Sequence, residues 1–237
     1  VTASESIGKS SAKPYRKAAI FLNGTYPDDH LDFYRKAFPP DSDATLLVAA
    51  DGALNFFARI GRSPDVVVGD FDSVSTSVLE RFPEVKKQTF PKEKDATDGE
   101  LAVRYALDSG CREIEIFGAI DTGFETDQML ANLLLLMLIK DHSHARGTEI
   151  PARLSDHYQH IYLLSDETAN IAGKKGNMLS IIPLSTITQI TIKGTKWELE
   201  QEKLRIGSSR SLRNEFLEEM ASVSVKGLAI VVHRHSK

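Results

Sequence analysis

The sequence predicts an α/β protein in which an N-terminal domain built on a parallel sheet is followed by a small C-terminal antiparallel β-sandwich. Up to about residue 165, short apolar runs rich in Val, Ile and Ala alternate with segments whose apolar residues recur at helical spacing, as in successive βα units. Several runs close on glycine beside a carboxylate or asparagine, as strands do where they leave a sheet. From Glu167 onward the texture changes to short alternating runs divided by Gly, Pro or Ser, with no convincing helix of more than about three turns. The boundary is therefore expected near Asp166, separating 14–166 from 167–237.

Lys17 to Leu22 reads as a first strand ended by Asn23-Gly24, and Asp28 to Ala37 as a helix. Thr45 to Ala50 repeats the strand pattern, with Asp51-Gly52 at its exit and a helical stretch through Ile60. Asp65 to Val68 is the third strand, Ser75 to Phe82 a helix, and Val85 to Phe90 a fourth strand. Leu101, Ala102, Tyr105 and Ala106 give the helix of Gly99 to Ser109, with Gly110 as its stop. Glu113 to Phe117 is the fifth strand. A loop from Ala119 to Thr126 precedes an apolar helix from Asp127 to about Lys140. A polar connection from Asp141 to Gln159 leads to a sixth strand, His160 to Leu164. Beyond it, Met178 to Ile182, Ile187 to Ile192, Lys196 to Leu199, Val223 to Val225 and Leu228 to Val232 supply the sandwich.

Composition narrows the function. The chain has 237 residues and a net charge of −4, which argues against a broad nucleic-acid footprint. The longest apolar stretch, Met129 to Ile139, is broken by Asn132 and is shorter than the roughly 20 residues of a membrane span, so no membrane partner is expected. Single Cys111 can form no internal disulfide, which suggests a reducing, cytoplasmic compartment. Val1 to Lys13 lacks a hydrophobic run and is expected to be a mobile tail rather than a secretory signal.

The chemistry centres on Val-Val-Val-Gly-Asp-Phe-Asp, Val66 to Asp72. Asp51, Asp70, Asp72, Asp95 and Asp98 all fall at, or just after, predicted carboxyl ends of strands, the side where ligands bind in parallel sheets. Each alone reads as a turn or helix cap. Together they would repel unless a hard cation such as Mg²⁺ sat among them, and carboxylate-held Mg²⁺ is a standard grip on a nucleotide triphosphate. Phosphoryl or pyrophosphoryl transfer is the leading chemistry. No Gly-x-x-x-x-Gly-Lys-Ser/Thr loop and no credible Gly-x-Gly-x-x-Gly is present. His142, His144, His157 and His160 lack a recognisable metal-ligand spacing.

Ala50-Asp51-Gly52-Ala53-Leu54-Asn55, Gly69-Asp70-Phe71-Asp72-Ser73, Lys94-Asp95-Ala96-Thr97-Asp98, and Gly118-Ala119 followed by Asp127-Gln128-Met129-Leu130-Ala131-Asn132 resemble the ordered motifs of the thiamin pyrophosphokinase family. So do Gly176 to Pro183, Ile192 to Leu199 and Ser209 to Phe216. The resemblance implies transfer of the terminal diphosphate of ATP to the hydroxyl of thiamin, giving AMP and thiamin diphosphate with Mg²⁺. It also implies a homodimer, with thiamin between the α/β domain of one subunit and the sandwich of the other. Carried over by position, Asp70, Asp72 and Asp98 become the catalytic metal ligands, with Asp95 beside them. Asp51, Gly52, Asn55, Lys94, Asp127, Gln128 and Asn132 become nucleotide contacts, and Trp197, Ser209 and Asn214 thiamin contacts. Trp197 could offer thiamin a flat face, or simply fill the sandwich core.

Three departures stand out. Glu125 occupies the place of the arginine in the family's Gly-Gly-Arg motif, Gln128 replaces a histidine, and Arg213 replaces a serine. Lys92, Lys94 or a basic residue from elsewhere could stand in for the arginine. The alternative function is accordingly a relative that binds thiamin or nucleotide without this transfer, or acts on another substrate. A metal-dependent phosphohydrolase is the third possibility.

Overall fold

The computed structural model describes residues 15–37, 44–90, 95–123 and 125–235. The tail expected over residues 1–13 lies outside them, as do Lys92 and Lys94. In chain order the strands of the first half are β1 (Lys17–Phe21), β2 (Thr45–Ala50), β3 (Val66–Gly69), β4 (Lys86–Thr89), β5 (Glu113–Phe117), β6 (Ala152–Ser155) and β7 (Gln159–Ser165). Between them lie helices α1 (Leu31–Ala37), α2 (Leu54–Ile60), α3 (Thr76–Leu79), α4 (Asp98–Asp108) and α5 (Thr126–Arg146). The second half adds β8 (Thr168–Ala172), β9 (Met178–Pro183), β10 (Ile187–Lys193), β11 (Leu199–Arg205), β12 (Asn214–Glu215), β13 (Met220–Lys226) and β14 (Leu228–Arg234).

Strands β4-β3-β2-β1-β5-β6 are mutually parallel, as the alternation of strand and helix predicts. Because β1 to β3 are apolar on both faces, both must be covered. Ala18, Ile20, Val48 and Val68 face α4 and α5 through Ala102, Ala106, Leu135 and Ile139. On the other face Ala19, Phe21, Ala49 and Val67 meet Tyr34, Leu54, Phe56 and Phe57 of α1 and α2. The order reverses direction at β1, with β2 on one side and β5 on the other. Ligand crevices open outside the carboxyl ends of such a switch point.

The second half departs from a detached sandwich in one respect. β7, β14, β9 and β12 continue the parallel sheet as antiparallel neighbours, giving ten strands in the order β12-β9-β14-β7-β6-β5-β1-β2-β3-β4. A separate four-stranded sheet, β11-β10-β13-β8, packs on the antiparallel end. The two share a core of Leu179, Ile181, Ala229 and Val231 from the long sheet with Ile190, Ile192, Val223 and Val225 from the short one. The α/β class with a C-terminal antiparallel β-sandwich is thus observed, but hydrogen bonding runs through residue 166 without a break, since β7 pairs with β14 over Leu228↔Ser165 to Arg234↔Gln159.

Several boundaries shift. The helix expected from Asp28 opens as a 3-10 turn over Asp28–His30, and that expected from Ser75 to Phe82 shortens to a single turn. α5 runs to Arg146, six residues past the expected end, and stops where Gly147 turns left-handed. β6 lies inside the stretch read from the sequence as a polar connection.

Candidate active site

The carboxyl ends of β1, β2, β3 and β5 surround a cavity of about 390 Å³ lined by Asn23, Asp51, Asp70, Asp72, Asp98 and Glu125, among others. Three short-range devices bring the carboxylates together. β2 ends in a 3-10 turn whose first residue, Asp51, has a φ of 42° and is only 5% exposed. β3 ends at Gly69, after which Asp70 projects and Phe71 takes a φ of 64°. α4 begins at Asp98, and the Thr97 hydroxyl before it accepts a hydrogen bond from the Glu100 amide at 3.2 Å. That cap fixes the helix start, so Asp98 sits on the positive end of the helix dipole and faces back across the strand ends.

Asp51, Asp70 and Asp98 each offer an oxygen within 4.8 Å of the other two. Among the described residues, Asp51 Oδ1 is buried with no hydrogen-bond partner. A buried carboxylate oxygen left unmatched costs free energy unless a cation meets it. The donor set is entirely anionic oxygen, which suits a hard divalent ion such as Mg²⁺. Asp51, assigned from sequence to the nucleotide, is thus gathered with Asp70 and Asp98.

The other sequence-derived residues divide. Asp72 lines the cavity at its exposed rim, where its amide donates to Asp70 Oδ1 at 3.2 Å and its Oδ1 accepts from the Ser73 hydroxyl at 3.2 Å. Asp95 is exposed and is not among the lining residues. Asn55 holds the loop after β3 by donating to the Ser73 carbonyl at 3.2 Å. Gly52 lets the turn approach Asn23, whose side chain a Cβ would meet at 2.5 Å. Gln128 and Asn132 line the cavity as a linked pair: Gln128 Nε2 donates to Asn132 Oδ1 at 2.9 Å, and Asn132 Nδ2 to the Ala119 carbonyl at 3.1 Å. Asp127 is exposed and accepts from the Gln128 amide at 2.9 Å. Glu125 lines the cavity, and among the described residues no Lys or Arg does. Asn23, Ser73, Thr97 and Thr122 also line it; their signal in the sequence is the same position at strand exits that marks the aspartates.

A second cavity lies on the sandwich, bordered by Lys196, Trp197, Arg210, Leu212, Arg213 and Asn214. Trp197 is 55% exposed, so core filling is not its role. Lys196 Nζ stands 4.8 Å from the centre of its ring. Asn214 is buried and structural in its contacts: Oδ1 accepts from the Trp197 amide at 3.0 Å, and Nδ2 donates to Trp197 O and Thr195 Oγ1 at 2.7 and 2.9 Å. It thereby sets the backbone that presents the indole. Ser209 is exposed and does not line this cavity. The two cavities share no lining residue.

A parallel sheet with an acidic crevice at its switch point, joined to a β-sandwich, defines an α/β protein with a ligand site at its strand exits. The profile described as thiamin pyrophosphokinase, catalytic domain, matches residues 41–146, and that described as thiamin pyrophosphokinase, vitamin B1 binding domain, matches 164–229. The chain belongs to the thiamin pyrophosphokinase family. It is 29% identical over 193 residues to the thiamine pyrophosphokinase of Bacillus subtilis, covering 79% of this chain and 86% of that protein. A crystal structure of thiamine pyrophosphokinase from Bacillus subtilis superposes with a TM-score of 0.80 at 25% identity, covering 94% of this chain and 100% of the other. The thiamin pyrophosphokinase of Candida albicans shares the fold at a TM-score of 0.73 and 17% identity, with 94% and 90% covered.

Proposed function

We propose that the chain transfers the terminal diphosphate of ATP to thiamin at the Asp51, Asp70 and Asp98 cluster, with Mg²⁺ as the bound ion. The observation that carries this is the gathering of three carboxylates round the orphaned Asp51 Oδ1 at the strand exits. Mg²⁺ bound there would offset the charge of the polyphosphate and of the departing AMP. In the reaction the thiamin hydroxyl oxygen forms a bond to the β-phosphorus, the bond from that phosphorus to the bridging α–β oxygen breaks, AMP leaves with the bridging oxygen, and the hydroxyl proton is released.

The chain's own residues would bind and orient. Asp51, Asp70 and Asp98 fix the ion, while Asp72 at the rim faces the open side and can accept the hydroxyl proton. The Gln128–Asn132 pair, anchored on Ala119, presents amide groups to the donor from the first turns of α5. Purified protein should release AMP from ATP only when thiamin and Mg²⁺ are both supplied. Release without thiamin would indicate a hydrolase, and tight thiamin binding without release would indicate a binding protein.

Glu125 places a negative charge where the family pattern has a phosphate-binding arginine. Glu125→Arg is expected to lower the KM for Mg-ATP about tenfold, the scale of one added charge contact, with the KM for thiamin unchanged. Initial-rate kinetics in both substrates checks this.

The homodimer fits the separation of the two cavities, because a thiamin held at Trp197 needs an acidic crevice brought to it. On α5, Leu130 and Leu134 are 53% and 51% exposed and lie one turn apart on one face. We assign this face to the interface. Leu134→Glu is expected to turn a dimer into a monomer by analytical ultracentrifugation and to abolish thiamin-dependent AMP release, leaving Mg²⁺ binding intact. A cytoplasmic setting accords with Cys111, a buried thiol pushed up to about 11 by desolvation and hence unreactive. No described helix is long and apolar enough to cross a membrane.

A further inference from the structure

We propose that His160, His233 and His235 form a second metal site, for a borderline divalent ion of the Zn²⁺ type, on the strands that join the parallel half to the sandwich. His233 and His235 are two apart on and just beyond β14, so their side chains project to one face. His160 on β7 stands opposite His233 in the antiparallel register, and the His235 amide donates to the Tyr158 carbonyl at 2.7 Å, extending the pairing.

The ring centroids of His160 and His235 are 4.8 Å apart, those of His233 and His235 5.0 Å, and those of His160 and His233 6.3 Å. Three imidazoles bound through nitrogen to one tetrahedral Zn²⁺ have centroids roughly 5 Å apart. Two edges have that length, and the third must close by about 1 Å through ring rotation. Among the described residues only the three aspartates have ligand atoms gathered within 4.8 Å, so the imidazole nitrogens stand farther apart than in a formed site and the rings must turn toward an ion to hold it.

Hydrogen bonds on the outer side of the rings settle which nitrogens carry lone pairs. The Ser155 hydroxyl donates to Glu115 Oε1 at 2.7 Å, so at 2.9 Å from His160 Nδ1 its oxygen accepts, which leaves His160 Nε2 as the ligating atom. Asn177 Oδ1 accepts from the Lys174 amide at 3.0 Å and therefore also accepts from His233 Nε2 at 3.0 Å, leaving Nδ1 as the lone pair. His233 Nδ1 and His235 Nε2 are buried and have no hydrogen-bond partner among the described residues. Metal-bound histidines characteristically donate their other nitrogen to a carboxylate or carbonyl in this way.

The electrostatics agree. Desolvation holds His160 and His233 down to about 4 and lowers His235, so the rings are neutral, as ligands must be. The charged groups facing them are Arg153, Lys174, Glu115 and Asp156, two of each sign. Arg153 is committed to Glu115, with Nε at 2.8 Å and Nη2 at 2.7 Å from Oε1. An ion here would clip the end of the last strand to β7, with water completing its shell.

Co²⁺ is the probe, added with excess Mg²⁺ to fill the carboxylates. Wild-type protein should bind one Co²⁺ per chain with the intense visible bands of a tetrahedral centre, and Asp98→Asn should keep them. His235→Gln, at a half-buried strand end, and His160→Gln should lose them, with circular dichroism verifying the fold. Ser155→Ala, which touches no metal, should weaken Zn²⁺ binding about 10- to 100-fold. Only the weak bands of octahedral Co²⁺ in the wild type, or full bands in folded His235→Gln, would overturn the site.

Discussion

Asp98→Asn should lower thiamin-dependent AMP release by at least about 10³-fold, the loss expected when a metal that stabilises transition-state charge is no longer held in place. The stability of the metal-free protein should hardly change. Three carboxylates with oxygens within 4.8 Å repel one another, so neutralising one relieves the folded state. Against that stands the loss of a negative charge at the first position of α4, about 0.3–1 kcal/mol. The decisive readout is the Mg²⁺-induced rise in Tm. At about a hundred times Kd, an ion bound only by the folded state adds about 2.7 kcal/mol, or roughly 5–10 °C for a chain of this size. That rise should be present in wild type and absent in the variant. Wild-type turnover, or an undiminished Mg²⁺ shift, in Asp98→Asn would remove this residue from the site.

Gly69→Ala should damage both stability and chemistry. Gly69 has a φ of 153°, a region that residues with a Cβ rarely enter. A Cβ here would lie 2.9 Å from Asp51 Cβ and 3.2 Å from Asp98 Oδ1. Backbone strain and overpacking together are expected to cost about 2–4 kcal/mol, a drop in Tm of roughly 5–12 °C. Because the displaced atoms belong to two of the three carboxylates, Mg²⁺ affinity should fall with it. Calorimetric titration of Mg²⁺ alongside thermal melts separates the two effects. A variant that melts early but binds Mg²⁺ like wild type would show that Gly69 serves the fold alone.

How far the sequence was legible depends on how local the determining physics is. The strand Val66–Gly69 and its exit were evident because β-branched residues followed by glycine act within the segment itself. β6 escaped notice for the converse reason. Its Arg153 and Ser155 point at buried Glu115, so a strand holding an ion pair resembles a polar connection. Position at the strand exits marked Asp51, Asp70, Asp72, Asp95 and Asp98 alike, whereas the folded chain gathers Asp51, Asp70 and Asp98, keeps Asp72 at the rim and leaves Asp95 exposed outside it. Spacing along the chain places a residue at a strand exit but does not tell which way a turn aims it. Core and surface were likewise both open to Trp197; in the folded chain it is 55% exposed, on a backbone held by Asn214 seventeen residues on.

The sequence by itself determined the alternation of strands and helices, the change of texture after Glu167 and the acidic strand exits, since propensity and side-chain periodicity operate over a few residues. Tertiary structure alone decided that one sheet of ten strands crosses the expected boundary, that Asp51 gathers with Asp70 and Asp98, and that the rings of His160, His233 and His235 lie near one another. The backbone groups that join one strand to the next are the same in every residue, so the choice of neighbour is made by which buried faces fit together across the folded molecule.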